Sequence, residues 1–78
     1  MFVNKFHEEA YNLAKKGELH KALGFFEKAL QKDPGQPDIY SDRGVSYLHL
    51  RMKTEALADF DLCVEIQPDY SYRYSSRA

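Results

Sequence analysis

The sequence predicts an all-α chain of antiparallel helical hairpins stacked side by side, and three observations carry that prediction. Residues recur at one offset: Ala22 with Ala56, Leu23 with Leu57, Phe26 with Phe60 and Pro34 with Pro68 stand 34 positions apart. Self-similarity at about that length marks helical units that bury their apolar faces on one another because none can do so alone. Overlaying residues 3–36 on 37–70 then preserves size as well as identity, since Phe6 meets Tyr40, Ala10 meets Gly44, Leu13 meets Tyr47 and Ala29 meets Cys63. Within each copy the apolar residues fall at helical spacing, with proline and glycine between the runs.

The first helix is expected over 3–16, where Phe6, Ala10, Leu13 and Ala14 follow the helical period and Gly17 permits the reversal. The second runs over 19–32 with Leu23, Phe25, Phe26, Ala29 and Leu30 as its apolar stripe. Asp33-Pro34-Gly35 ends it, because proline turns the residue before it away from helical dihedrals. Pro37 suits a first helical turn and Asp38 complements the helix dipole, which places the third helix over 38–50. Thr54 is the expected cap of the fourth, which carries Leu57, Phe60, Val64 and Ile66 and stops before Pro68. Residues 70–78 read as the start of a third copy, with Tyr74 and Ala78 in register. A helix of about eight residues is below the ~12–15 needed for marginal independence, so Tyr74 must dock on the fourth helix or the segment will fray. Alternating Tyr70, Tyr72 and Tyr74 would also suit a strand, but no second strand is apparent to pair with it.

The size pattern has a packing reason. Helices that cross at a shallow angle need small side chains at closest approach and large ones alongside. Ala10, Ala22 and Ala29, then Gly44, Ala56 and Cys63, supply the small set, and Phe26 and Phe60 act as wedges. Glycine inside a helix costs about 1 kcal/mol relative to alanine, so Gly44 is expected at a close helix contact. Replacing Phe26 or Phe60 by alanine is expected to cost about 3–5 kcal/mol.

These positions resemble the tetratricopeptide repeat. An aromatic near the fourth position, a small residue at the eighth, an aromatic or leucine at the eleventh, then Ala, Phe, Ala and Pro are matched by Phe6, Ala10, Leu13, Ala22, Phe26, Ala29 and Pro34. The second copy matches with Tyr40, Gly44, Tyr47, Ala56, Phe60, Cys63 and Pro68. Glu9 and Arg43 depart from it, standing where the family often has leucine. The resemblance implies a short right-handed superhelix forming one domain over 1–78, with repeat one at 3–36, repeat two at 37–70 and a truncated repeat or capping helix at 71–78.

It also implies a non-catalytic protein-interaction module whose concave groove, lined by the first helix of each repeat, holds a peptide or a partner helix. Carried over one at a time, the groove positions are Asn4, His7, Glu8, Tyr11, Ala14 and Lys15, then Asp38, Ser41, Asp42, Val45, Leu48 and His49, with Tyr72, Ser75 and Ser76 beginning a third set. Their mix of polar, aromatic and acidic groups suits a peptide backbone and a basic side chain. Substituting Tyr11 or Asp42 is expected to alter partner binding and leave melting almost unchanged. Family members that grip the carboxyl terminus of heat-shock chaperones use lysine, asparagine and arginine where this chain has His7, Tyr11, Asp42, Tyr72 and Ser76. A carboxylate would meet Asp42 instead of a donor, so that role is not expected.

Composition narrows the classes further. A net charge of -1 and a pI near 6.3 lack the basic face of a nucleic-acid binder, and Glu8, Asp38 and Asp42 argue against an RNA groove. No apolar run of signal-peptide or membrane-span length occurs, so the expectation is a cytoplasmic protein with no membrane partner. One cysteine cannot form an internal disulfide, and at a small-residue packing position Cys63 is expected to be an inert core thiol. No cofactor is expected. The run His7-Glu8-Glu9-Ala10-Tyr11 fails as a zinc-protease helix because Tyr11 occupies the place of the second histidine. His20 and His49 have no ligand-spaced partner and are read as surface residues, and Asp59, Asp61 and Glu65 as a solvated acidic face. Repeat arrays normally need about three units and a polar cap. The chain is therefore expected to belong to a longer array, and in isolation to self-associate through its open C-terminal end.

Overall fold

The computed structural model describes residues 2–67. They form four helices, α1 (Lys5–Lys15), α2 (Leu19–Lys32), α3 (Pro37–His49) and α4 (Lys53–Ile66), with no strand among the described residues. The expectations placed on Pro68 and on 70–78, including Tyr72, Tyr74, Ser75, Ser76 and the third repeat, lie outside the described residues.

Helix α1 begins two residues later than expected because Asn4 caps it. The Asn4 backbone is extended, and its Oδ1 accepts from the His7 N–H at 2.9 Å. Its Nδ2 meanwhile donates to Asp33 Oδ2 at 2.7 Å and to the Ala29 carbonyl at 3.2 Å. One side chain thus satisfies an orphan helix donor and ties the start of α1 to the end of α2.

The two hairpin turns use the same hydrogen bonds. After α1, the Gly17 N–H donates to the Ala14 carbonyl and the Glu18 N–H to the Leu13 carbonyl. After α3, the Arg51 N–H donates to the Leu48 carbonyl and the Met52 N–H to the Tyr47 carbonyl at 2.8 Å. Both are left-handed helix exits, with φ of 91° at Gly17 and 63° at Arg51. Arg51 adopts at a cost on the order of 1 kcal/mol a conformation that glycine takes freely. This turn also corrects the expected cap. Met52, fixed by its bond to Tyr47, precedes α4 without a side-chain cap bond, and Thr54 lies inside the helix. Pro37 takes the first position of α3, one residue before the expected start.

Each hairpin closes on itself, α1 against α2 and α3 against α4, and α3 then lies on α2 and touches α1. Ala10, Ala22, Phe26, Ala29 and Ile39 form the fully buried centre, surrounded by Val3, Phe6, Leu13, Ala14, Phe25 and Leu30. Ala56 and Cys63 are buried in the second hairpin. Gly44 is there for proximity: a methyl on it would lie 2.8 Å from Phe60 Cε1, so the ring occupies the space a side chain would need.

The acidic face expected on α4 is corrected by the same hairpin. Asp61 and Glu65 are exposed, but Asp59 is 2% exposed and accepts from Arg43, Nε to Oδ2 at 2.9 Å and Nη2 to Oδ1 at 2.7 Å. The Arg43 guanidinium also sits over the rings of Tyr40 and Tyr47, at 5.6 and 5.7 Å. Hydrogen bonding to Asp59 holds Arg43 above its ordinary pKa, against the opposing effect of burial. Elsewhere on α4, Leu57, Val64 and Ile66 are exposed, Leu57 by half of its surface. No helix among the described residues is long and apolar enough to cross a membrane.

Candidate functional site: a cleft between α1 and α3

Helices α1 and α3 present matching stripes to one side of the molecule. Tyr11, Ala14 and Lys15 share a face of α1 at three- and four-residue spacing, and Asp42, Val45, Ser46 and His49 share a face of α3 by the same rule. Between these stripes lies a cleft of about 170 Å³, and Phe26 of α2 contributes to its lining. Tyr11, Val45 and Leu48 leave substantial apolar surface exposed.

A part-buried hydrogen-bond chain positions the carboxylate of this cleft. The Val3 N–H donates to His7 Nδ1 at 3.0 Å, so the ring proton resides on Nε2 and is donated to Asp42 Oδ2 at 2.6 Å. His7 is 1% exposed whereas the Asp42 side chain is 32% exposed. In this arrangement the His7 ring anchors one carboxylate oxygen of Asp42, and about a third of the Asp42 side chain stays open to the cleft. The Phe2 ring packs beside His7 and Tyr11, its centroid 5.1 Å from each of theirs. The Lys15 ammonium rests 5.7 Å from the Tyr11 ring centroid at the far end of α1.

Of the residues named from the sequence, Tyr11, Lys15, Asp42, Val45 and His49 line the cleft together with Ala14. Glu8 and Asp38 are exposed outside its lining, and Asn4 is engaged in the cap. His7 and Ser41 are buried, so they stand beneath the wall instead of on it. Burial also changes what is expected at position 42, because an alanine there would strand the His7 Nε2–H without its acceptor. Tyr72 lies outside the described residues. Ser46 and Phe26 also line the cleft, although the repeat pattern does not place them in the groove. Ser46 falls one turn after Asp42, a spacing that signals a shared face, whereas Phe26 arrives from another helix and leaves no local signal.

Nucleophilic chemistry has little support in this arrangement. The buried Cys63 Sγ–H donates to the Pro37 carbonyl at 3.2 Å, and burial, reinforced by Asp59, pushes its thiol up to about 11. No group of three or more His, Cys, Asp and Glu side chains among the described residues is placed to hold a metal ion. His20 and His49 are both exposed.

Residues 25–58 match a family model described as tetratricopeptide repeat. The chain is 32% identical to a UDP-N-acetylglucosamine--peptide N-acetylglucosaminyltransferase of Giardia intestinalis, over 90% of this chain and 5% of the relative. It is 36% identical to Hsp70-Hsp90 organizing protein 3 of Arabidopsis thaliana, over 90% of this chain and 12% of the relative. It is 37% identical to the mitochondrial import receptor subunit TOM70 of Rattus norvegicus, over 59% of this chain and 8% of the relative. The chain thus spans only a small fraction of the length of these relatives. No solved structure matches it at a significant level.

Proposed function

From the premise that this chain belongs to the tetratricopeptide repeat family, we propose that it is a non-catalytic module that holds an extended segment of a partner protein between α1 and α3. Protein recognition as the broad class is supported by the repeat and by relatives named for organizing Hsp70 and Hsp90 and for mitochondrial import reception. The observation that carries the finer reading is the cleft itself. Tyr11 and Val45 offer exposed apolar surface on its two walls, and Asp42, Lys15 and His49 offer polar groups that fix orientation. A chain terminus gripped by its carboxylate fits poorly, because Asp42 would oppose it at close range.

Amide chemical-shift mapping of the 78-residue chain with a mixed pool of blocked peptides tests this reading. Shifts concentrated at Tyr11, Ala14, Asp42, Val45 and His49 are expected; shifts confined to α4 would contradict it. A second reading, a self-associating structural segment, draws on the exposed Leu57, Val64 and Ile66 of α4. Light scattering over a concentration series separates the two: a constant monomer mass opposes self-association.

A further inference from the structure

We infer that the partner segment presents a basic side chain to Asp42, so that the module selects peptides by an internal lysine or arginine. This inference rests on the cleft reading above and adds the chemistry that the cleft prefers.

The geometry of His7 carries the argument. A histidine beside an aspartate commonly offsets its charge, but here Nδ1 is committed as the acceptor of the Val3 N–H. A second ring proton would set two donors against each other, so with Nδ1 accepting it is Nε2–H that donates to Asp42 Oδ2. Asp42 is therefore held in position as an acceptor, its carboxylate aimed by the His7 Nε2–H. It is only about one-third exposed, so water screens a carboxylate there less than at an open surface.

Lys15 and His49 share the lining but stand further along it. Lys15 lies seven residues beyond Glu8, the register counterpart of Asp42, and so about 10 Å further along the helices at 1.5 Å per residue. Its ammonium is already over Tyr11. His49 likewise stands seven residues beyond Asp42, two turns along α3. Besides His7, and Arg43 whose guanidinium is engaged by Asp59, the ionisable positions nearest Asp42 in register are acidic, with Asp38 one turn before it and Glu8 at the matching position of α1. Asp42 lines the cleft toward the helix N-termini, with Glu8 and Asp38 outside the lining on that side, and Lys15 and His49 line it toward the C-termini. A basic side chain at Asp42, with apolar neighbours against Tyr11 and Val45, is the complement of that arrangement.

The test uses the full 78-residue chain and a blocked, fluorescein-labelled pentapeptide, Ala-Leu-Arg-Leu-Ala, beside the same peptide with citrulline, the uncharged isostere of arginine. Anisotropy should show the arginine peptide binding roughly tenfold tighter, with a preference that shrinks as salt is raised. Asp42→Asn keeps a carbonyl for the His7 Nε2–H and removes the charge, so it should bind the two peptides alike and melt like the parent. Equal binding of both peptides to the parent chain, or an arginine preference that survives in Asp42→Asn, would overturn the inference and leave the cleft reading standing. If neither peptide binds and the Tyr11 and Val45 amide signals stay unmoved, the cleft reading falls and this inference with it.

Discussion

The two hairpins share one register yet close their outer seams differently. In the first, Phe6, Leu13 and Phe25 pack beside the buried centre and Glu9 stays exposed. In the second, Tyr40, Tyr47 and Asp59 occupy the corresponding positions and Arg43 replaces Glu9, so a guanidinium lies between two rings and grips a buried carboxylate. The alanine and glycine seam is common to both, because backbone approach demands small residues whatever lies alongside. The flank is free to vary: an apolar seam is satisfied by area, whereas an ionic one needs both partners in place. The hairpins also differ in cover. Helix α3 lies over α2 and leaves Phe26 fully buried, while the described residues leave Leu57, Val64 and Ile66 of α4 exposed.

Breaking the difference in cover gives the largest expected effect. Phe26→Ala empties a fully buried site in the shared centre and should cost about 3–5 kcal/mol, enough to unfold much of a small domain. Phe60 is half-buried, so Phe60→Ala should cost less, a departure from the equal losses that the repeat pattern alone implies. Urea unfolding of the two variants checks the order, and equal losses would erase the contrast.

The ionic seam ranks next. Asp59→Ala leaves Arg43 partly buried without its partner and should cost about 3 kcal/mol. The double change Arg43→Leu with Asp59→Phe gives the second hairpin an apolar flank like the first and should recover most of that loss. A double-mutant cycle in urea reads the coupling.

The helix-interior glycines sharpen the contrast at a smaller scale. Gly24 has no neighbouring atom within 4 Å of the place an added methyl would occupy, so Gly24→Ala should stabilise by about 1 kcal/mol. At Gly44 the Phe60 ring lies 2.8 Å from the corresponding place, so Gly44→Ala should lose about 1 kcal/mol or more despite the better helix propensity. Opposite shifts in melting temperature are the expected result.

The smallest effect at neutral pH belongs to Cys63. Burial raises its thiol from 9.0 to about 11, so the folded state favours the protonated form. That contribution is fully present below pH 9 and is lost as pH rises through about 11, because the unfolded chain sheds this proton first. Cys63→Ser removes the titration and should lose less stability than the parent as pH is raised from about 9 to about 11.

Much of the fold was legible in local pattern. The predicted bounds of α2 coincide with Leu19–Lys32, and the small-residue seam is buried at Ala10, Ala22, Ala29, Ala56 and Cys63. Thr54 misled because a cap-type residue near a helix start says nothing about the preceding turn, whose bond from Met52 to Tyr47 fixes the entry. Asp59 misled because its partner lies 16 residues away on another helix, beyond any local charge pattern. A signal did exist: the columns holding Glu9 and Phe25 in one copy hold Arg43 and Asp59 in the other, so an oppositely charged pair enters both columns together. In the candidate site, spacing brought Tyr11, Lys15, Asp42, Val45 and His49 to one side, but the hydrogen bond from the Val3 backbone to His7 could not be read from residue types.

Site-specific photocrosslinking compares the two surfaces most directly. With benzoylphenylalanine at Val45 in one sample and at Leu57 in another, both melting like the parent, the chain is exposed to lysate from its source. A discrete adduct from position 45 that Asp42→Asn weakens is the predicted result. Adducts from position 57 with none from position 45 would contradict recognition in the α1–α3 cleft.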